Sequence, residues 1–413
     1  MQYTWCNGLI ILLVSLCSFL AAPVQAADPN YLIIIDGGST SSKLYLFSNA
    51  GKLRNPELTL HTKTSKTPPV TDTSFAADPK AYFDGLFTAL AAAYPIAEEY
   101  RTKIPVYFFA TAGLRSLPLE EQERIITLVR DGLTASIHAQ GYLAPQDSVK
   151  EMRVISGGEE GLFAWLSTQY WNEALEQILL TARKTEAVLE MGGSSTQVAF
   201  LPNLKPKEYA HAYQHKVRTY YPYVYSYADY GNEVGMKRML AYFEQQAGDF
   251  AACFPVGMPY PLTNPILYGA GDFKACAAYV REFMYEDKPC KDCTAMGVYQ
   301  PPMRQQRAIL TSGYVYTFNV FGIARKWVTL KDIEQSGQAY CAKPWKDVQA
   351  EFPTESPEYL ATYCFNGAWM DSLLKGYGLT QQAELLATDT INGVKNSTDW
   401  ATGAAWSIWL DEL

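Results

Sequence analysis

Two segments of the chain, YLIIIDGGSTSSKLYLF at 31–47 and AVLEMGGSSTQVAF at 187–200, carry chemistry-bearing residues in the same order. Each passes from an apolar stretch to an acid (Asp36, Glu190), then glycines, a run of hydroxyls and a second apolar stretch. Glycine permits positive φ and lets backbone approach a ligand closely. The N–H groups and hydroxyls around Gly38, Ser39, Thr40 and Ser41, and around Gly192, Gly193 and Ser194, can then line a concavity for phosphate oxygens. Asp36 and Glu190 stand behind these loops as acids able to hold a cation. Two such loops in one chain suggest related half-domains closing on a single polyphosphate. Each loop alone is equally a plain β-hairpin, since Asp-Gly between apolar strands needs no ligand to turn.

Three further features give the loops chemical company. Thr111 and Arg115, in ATAGLR at 110–115, follow an apolar strand at the end where open α/β sheets bind ligands. Thr111 can bond phosphate and Arg115 can add charge there, although a helix cap with a surface arginine fits the same residues. In SGGEEG at 156–161, Glu159 and Glu160 open a helix, where the macrodipole favours acids. Glu159 is expected to be the general base that activates water, with Glu160 facing away. In the second loop, Gln197 is expected to orient the attacking water, and Ser195 to hold that water or a phosphate oxygen.

The elements that position these residues alternate between strand and helix. Strands are expected on either side of each glycine loop, at 105–110 and at 154–155, with 49–80 as loop. Helices are expected over 80–101, 119–138, 156–170, 232–247, 270–284, 314–326, 369–377 and 398–413. The pattern predicts an α/β protein with largely parallel central sheets in two lobes.

At 413 residues the chain can form two or three domains, each with its own core. It is 48% apolar, 18% charged and carries a net charge of −8, which argues against nucleic-acid or anionic-membrane partners. The apolar stretch 9–22 followed by PVQA at 23–26 reads as a signal peptide, or as an uncleaved anchor because no Lys or Arg precedes it. Export agrees with the cysteines. Beyond Cys6 and Cys17, six remain between Cys253 and Cys364: Cys253, Cys276, Cys290, Cys293, Cys341 and Cys364. An even number in one region of an exported chain reads as three disulfides of unassigned connectivity. The Cys290–Cys293 spacing also suits half a zinc site or a redox pair, but a second CxxC and nearby histidines are missing.

Taken in order, IIIDGGSTSSKLYLF, ATAGLRSL, SGGEEGLFAWLSTQYW, LEMGGSSTQVAF, YSYADYG, YCFNGAWMDSLLKGY and DWATGAAW resemble the conserved regions of the ecto-nucleoside triphosphate diphosphohydrolases, the apyrase family. The resemblance spans nearly all of the mature chain. It implies the two-lobed actin, sugar-kinase and chaperone-ATPase superfold, with ribonuclease-H-like lobes and the active site in the cleft between them. The implied partition is a signal peptide over 1–26, lobe I over 27–153 plus 388–413, and lobe II over 154–387. It implies hydrolysis of nucleoside tri- and diphosphates by in-line attack of water, with a Ca2+ or Mg2+ ion and with Mn2+ as a further candidate. Glu159 aligns with the general base, and Ser195 and Gln197 with the groups that position the water. Asp36 and Glu190 align with acids that hold metal-bound waters. Ser39, Thr40, Thr111 and Arg115 align with phosphate contacts. Cys341–Cys364 matches a family disulfide.

This chain departs from the family pattern in several places. Glu190 replaces the more usual Asp, Ser41 stands where a histidine is common, and the two anchors of cell-surface members are missing. The resemblance is therefore to soluble, exported members, including those of bacterial pathogens: monomers that are secreted, or periplasmic in transit. Two rivals remain at this level. An exopolyphosphatase shares the superfold and glycine loops, and an actin-like or chaperone-like switch would bind nucleotide and hydrolyse it slowly. Tyr314, Tyr316 and Trp345 are unranked candidates for stacking on the base.

Overall fold

The computed structural model describes residues 30–51, 56–216, 218–246, 250–260, 267–286, 290–303 and 306–410. The expected signal peptide lies outside the described residues.

Two mixed sheets organise the chain. The first contains β1 (Asn30–Gly37), β2 (Ser42–Asn49), β3 (Leu58–Lys63), β4 (Val106–Ala110) and β5 (Met152–Val154), in the order β3-β2-β1-β4-β5. The second contains β6 (Ala187–Met191), β7 (Ser195–Phe200), β8 (Tyr223–Ala228), β9 (Arg307–Ser312), β10 (Trp327–Val328) and β11 (Glu384–Ala387), in the order β8-β7-β6-β9-β11-β10. The first five strands of this second order repeat the first sheet's topology. In each half a three-strand antiparallel meander precedes two parallel additions. The meanders make the sheets mixed, where largely parallel sheets were expected.

The apolar run Leu32–Ile35 shows why β1 is central. Ile33 and Ile35 point into a core with Leu44, Leu46 and the helices α1 (Pro79–Ala93) and α2 (Leu119–Gln140). Leu32 and Ile34 point the other way, to a core containing Tyr45, Phe47 and Phe109. That second core also takes Phe163, Trp165, Val188, Ala199 and Trp400, so it joins the two sheets. Its helices are α3 (Gly157–Trp171) and the final α9 (Trp400–Trp409), which pack against each other. The far face of the second sheet carries α4 (Asn232–Gln246), α5 (Phe273–Met284), α6 (Gly313–Val320), α7 (Leu330–Cys341) and α8 (Pro357–Gly376).

Several boundaries differ from expectation for local reasons. The helix expected over 80–101 stops at Ala93, before Pro95, and only one turn, Glu98–Arg101, follows. The expected loop 49–80 contains the edge strand β3. α6 ends at Val320, short of 326, where Gly322 adopts φ +70°. α8 begins twelve residues before the expected 369, because Ser356 caps it and Pro357 supplies a preset φ at its first position. The cysteines pair as Cys253–Cys276, Cys290–Cys293 and Cys341–Cys364, the last tying α7 to α8. Among the described residues, no three His, Cys, Asp or Glu side chains gather as a direct metal-ligand set.

Candidate active site

The two glycine loops are equivalent hairpin turns. In the first, Gly38 N–H donates to the Ser41 carbonyl at 3.1 Å; in the second, Gly192 N–H donates to the Ser195 carbonyl at 2.9 Å. Gly37, Gly38, Gly192 and Gly193 all keep negative or extended φ, so positive φ is not what these positions require. Close approach is. A Cβ on Gly113 would lie 2.6 Å from Ser39 Cα, and one on Gly193 would lie 3.0 Å from Ser39 Oγ and 3.1 Å from Thr40 Cγ2. The first loop is thus held between the turn after β4 and the second loop, and the two loops face each other across the lobes. Thr111 is buried here; its N–H donates to the Gly37 carbonyl at 3.1 Å, and its side chain makes no capping bond to the turn it opens.

Beside the second loop lies a buried polar cluster. Arg115 Nη2 donates to Glu160 Oε2 at 2.5 Å and to Ser195 Oγ at 3.3 Å, while Nη1 reaches the Ile155 carbonyl at 3.0 Å. Gln197 Nε2 lies 2.8 Å from Ser195 Oγ, 3.0 Å from Ser226 Oγ and 3.2 Å from Glu160 Oε2. Glu160, Ser195 and Gln197 are each less than a tenth exposed. The cluster takes in Glu160, the acid expected to face away, and not Glu159. Glu159 Oε2 accepts from Ser156 N–H at 2.8 Å while Ser156 Oγ accepts from Glu159 N–H at 3.1 Å, a reciprocal capping box. Glu159 Oε1 is bound to Arg153 at 2.7 Å. Both carboxylate oxygens are committed to structure, one residue and about 100° of helix away from the cluster.

Electrostatics separate the same two acids. Burial opposes charge on Glu159, but the bonds from Arg153 and Ser156 outweigh it and hold the carboxyl below its ordinary range. Burial pushes Glu160 upward, with Arg115 opposing the shift. A carboxylate with a raised pKa, kept beside a guanidinium, is the better proton acceptor.

Asp36 and Glu190 close the site at the strand ends. Both are buried, and burial raises both carboxyls, Glu190 especially, because Glu160's charge adds to it. Asp36 is paired with Lys43 at 3.4 Å, leaving Oδ1 without a hydrogen-bond partner. Glu190 Oε1 accepts from Ser312 Oγ at 3.1 Å, leaving Oε2 without one. Two buried carboxylates with one unsatisfied oxygen each suit a hydrated divalent cation. With no third His, Cys, Asp or Glu joining them among the described residues, such an ion would be held chiefly through waters and phosphate oxygens.

Sequence reasoning missed several members of this assembly. Lys43, Ser226 and Ser312 emerge only from strand register and tertiary packing. The placement of Glu159 had a visible signal: Ser156-x-x-Glu159 is a capping-box pattern, which assigns Glu159 to the helix start. Among the three aromatic candidates, Tyr314 is fully buried and Trp345 packs on the lobe II core, whereas Tyr316 is 55% exposed.

A model of the GDA1/CD39 (nucleoside phosphatase) family matches residues 24–409. The chain is 26% identical to "Probable apyrase 3" of Arabidopsis thaliana, covering 91% of this chain and 81% of that protein. It is also 26% identical to "Ectonucleoside triphosphate diphosphohydrolase 8" of Bos taurus, with the same coverage of 91% and 81%. Among solved structures, a nucleoside triphosphate hydrolase from Neospora caninum shares the fold with a TM-score of 0.65 at 15% identity over 93% of each chain. A Ppx/GppA family protein from Aquifex aeolicus aligns with a TM-score of 0.52 at 15% identity, over 93% of this chain and 99% of that one.

Proposed function

The chain belongs to the GDA1/CD39 (nucleoside phosphatase) family, and from that premise we propose that it hydrolyses nucleoside tri- and diphosphates to the monophosphate, with Glu160 as general base. The observation that carries the reading is the buried Glu160–Arg115–Gln197–Ser195 cluster beside the second glycine loop.

Water held by Ser195 Oγ and the Gln197 amide attacks the terminal phosphorus in line with the departing oxygen. Glu160 takes the water's proton, and Arg115 keeps Glu160 ionised until it does so. The backbone and hydroxyls at 38–41 and 192–194, with Thr111, hold the phosphate chain between the lobes. Most of the rate gain then comes from positioning and charge neutralisation. Asp36 and Glu190 would face a hydrated Ca2+, Mg2+ or Mn2+ ion, which when bound supplies charge neutralisation to the phosphates. Tyr316 offers the exposed ring on which a base can stack.

We place the protein outside the cytoplasm, on the leader-like N-terminal sequence and the paired cysteines. No described helix is long and apolar enough to cross a membrane. The test is phosphate release from ATP, ADP and AMP, with divalent metal and with EDTA, in the wild type and in Glu160→Gln and Glu159→Gln. Metal-dependent release from ATP and ADP but not AMP, lost only in Glu160→Gln, is expected. Faster release from long-chain polyphosphate than from ATP would favour the exopolyphosphatase reading, and turnover far below one per second would favour a nucleotide switch.

A further inference from the structure

A lysine just after β3, in the first half of the chain, rests on an aromatic ring of α6 in the second half. Lys66 Nζ lies 5.4 Å from the centroid of the Tyr316 ring. Tyr316 is the outward-facing tyrosine of α6; Tyr314, Val315, Thr317 and Phe318 around it are buried. Lys66 itself is exposed and forms no ion pair among the described residues. Its segment is fixed in place, because Thr67 and Ser42 exchange two backbone hydrogen bonds of 3.0 Å each and Thr67 Oγ1 meets Tyr82 Oη at 3.0 Å. Ser42 directly follows the first glycine loop. The lysine is therefore carried on a strut anchored to the phosphate-binding turn, and its ammonium covers the ring that a base would need.

We propose that Lys66 is a specificity-determining gate: its ammonium occupies the Tyr316 ring in the nucleotide-free protein, and a base must displace it to stack there. The inference rests on the nucleotide reading of the cleft and on Tyr316 as base platform. A ring accepts one partner on a given face, so cation and base compete for it. Glu233, on the first turn of α4 and against Gly193, is raised by burial and feels the charges of Lys237 and then Lys66, so it offers the displaced ammonium an acidic neighbour. Ligands without a base have no need to move the lysine. The gate therefore acts on nucleotides and leaves base-free polyphosphates alone.

The experiment is calorimetric binding, in Mg2+, of a β,γ-methylene ATP analogue and of inorganic tripolyphosphate to the wild type, Lys66→Ala, Lys66→Arg, Tyr316→Ala and the Lys66→Ala/Tyr316→Ala double variant. An exposed cation–π contact corresponds to roughly a two- to five-fold change in affinity. Lys66→Ala is expected to tighten the analogue by that factor while leaving tripolyphosphate unchanged. Lys66→Arg should behave as wild type. Tyr316→Ala should weaken the analogue, and Lys66→Ala should add nothing in its background. If Lys66→Ala weakens both ligands alike, the lysine is a phosphate contact and the gate is overturned while the platform stands. If Tyr316→Ala leaves the analogue unchanged, the platform fails and the gate fails with it. If the wild type binds neither ligand, the nucleotide reading itself has failed.

Discussion

Lys43 and Gln197 occupy the same place in the two hairpins: Lys43 lies directly across the strand pair from Asp36, and Gln197 directly across from Glu190. The repeat is structural but its charges are not. In the first lobe the acid has a cation opposite. In the second, the amide turns toward Glu160 and Ser195, and among the described residues the Glu190 carboxylate keeps only the Ser312 hydroxyl. One hairpin holds a balanced pair, and the other gives up that balance to build the water-positioning group.

Lys43→Met should therefore destabilise the protein by about 2–4 kcal/mol, because it strands a buried carboxylate. Asp36→Asn/Lys43→Met should recover most of that loss. Denaturant midpoints of the two variants decide the point; equal losses would mean the pair contributes nothing.

The neighbouring acids at 159 and 160 should separate cleanly. Glu160→Gln is expected to lower kcat by roughly 10²- to 10⁴-fold, the range of general-base catalysis. Glu159→Gln should keep kcat within a few-fold and lower stability by about 1 kcal/mol through the weakened cap. Steady-state rates with thermal melts measure both, and the opposite pattern would restore Glu159 as base.

Their pH signatures have opposite signs. Glu160 is raised on folding, so its acid limb in kcat/KM should lie above the ordinary carboxylate range. Ionising Glu160 and Glu190 in the folded protein is unfavourable. Their contribution to stability is therefore greatest below the unfolded carboxyl value and is lost as pH rises toward the raised folded values. Glu159 is depressed, so its stabilisation is present above the unfolded value and is lost as pH falls through the folded one. Melting curves from about pH 2 to 8 should show the first loss blunted by added Mg2+ or Ca2+, while Glu159→Gln should flatten the loss at the acid end, below the ordinary carboxyl value.

Ser312 links β9 to α6 with φ +58° and ψ −119°, a conformation unfavourable for a residue with a Cβ. Its hydroxyl reaches Glu190 from there. Ser312→Gly should relieve the backbone, so it should be more stable than Ser312→Ala by about 1 kcal/mol. Both should weaken metal-dependent activity, since both remove the hydroxyl. Thermal melts of the two variants side by side make the comparison.

The sequence disclosed what local chemistry controls. Four consecutive apolar residues before Asp36-Gly37 announced a hairpin, and its echo at 187–200 announced the second lobe. β3 escaped because an edge strand with half-exposed positions, LTLHTK, carries little alternation and lies among Thr and Pro. The start of α8 escaped for the opposite reason: buried on nearly every side from Leu360 onward, it shows no polar face to set a period. A helix start beside a glycine loop suits a base, which points to Glu159. The same helix start had already committed that side chain to Ser156, and only the turn to the next position brings an acid to Gln197. Lys43 could not be placed at all without register, since a lysine directly after a hydroxyl run has no local mark of pairing.

The helix Trp400–Trp409 lies against α3, so close that a Cβ on Gly403 would overlap the Phe163 carbonyl, and Trp400 packs between Phe109 and Phe163. Asp399, just before it, binds Lys63 and Tyr45 of the first sheet. The inner face of the first sheet is thus covered by a segment that follows Tyr45 of that sheet by 354 residues. Until that segment has been made, Leu32, Ile34 and Phe109 share their core with Phe163 and Trp165 but lack the cover that Trp400 and its helix supply. The first sheet must therefore wait for a distant segment before its core is complete, and the order of synthesis runs against the order in which that core could close.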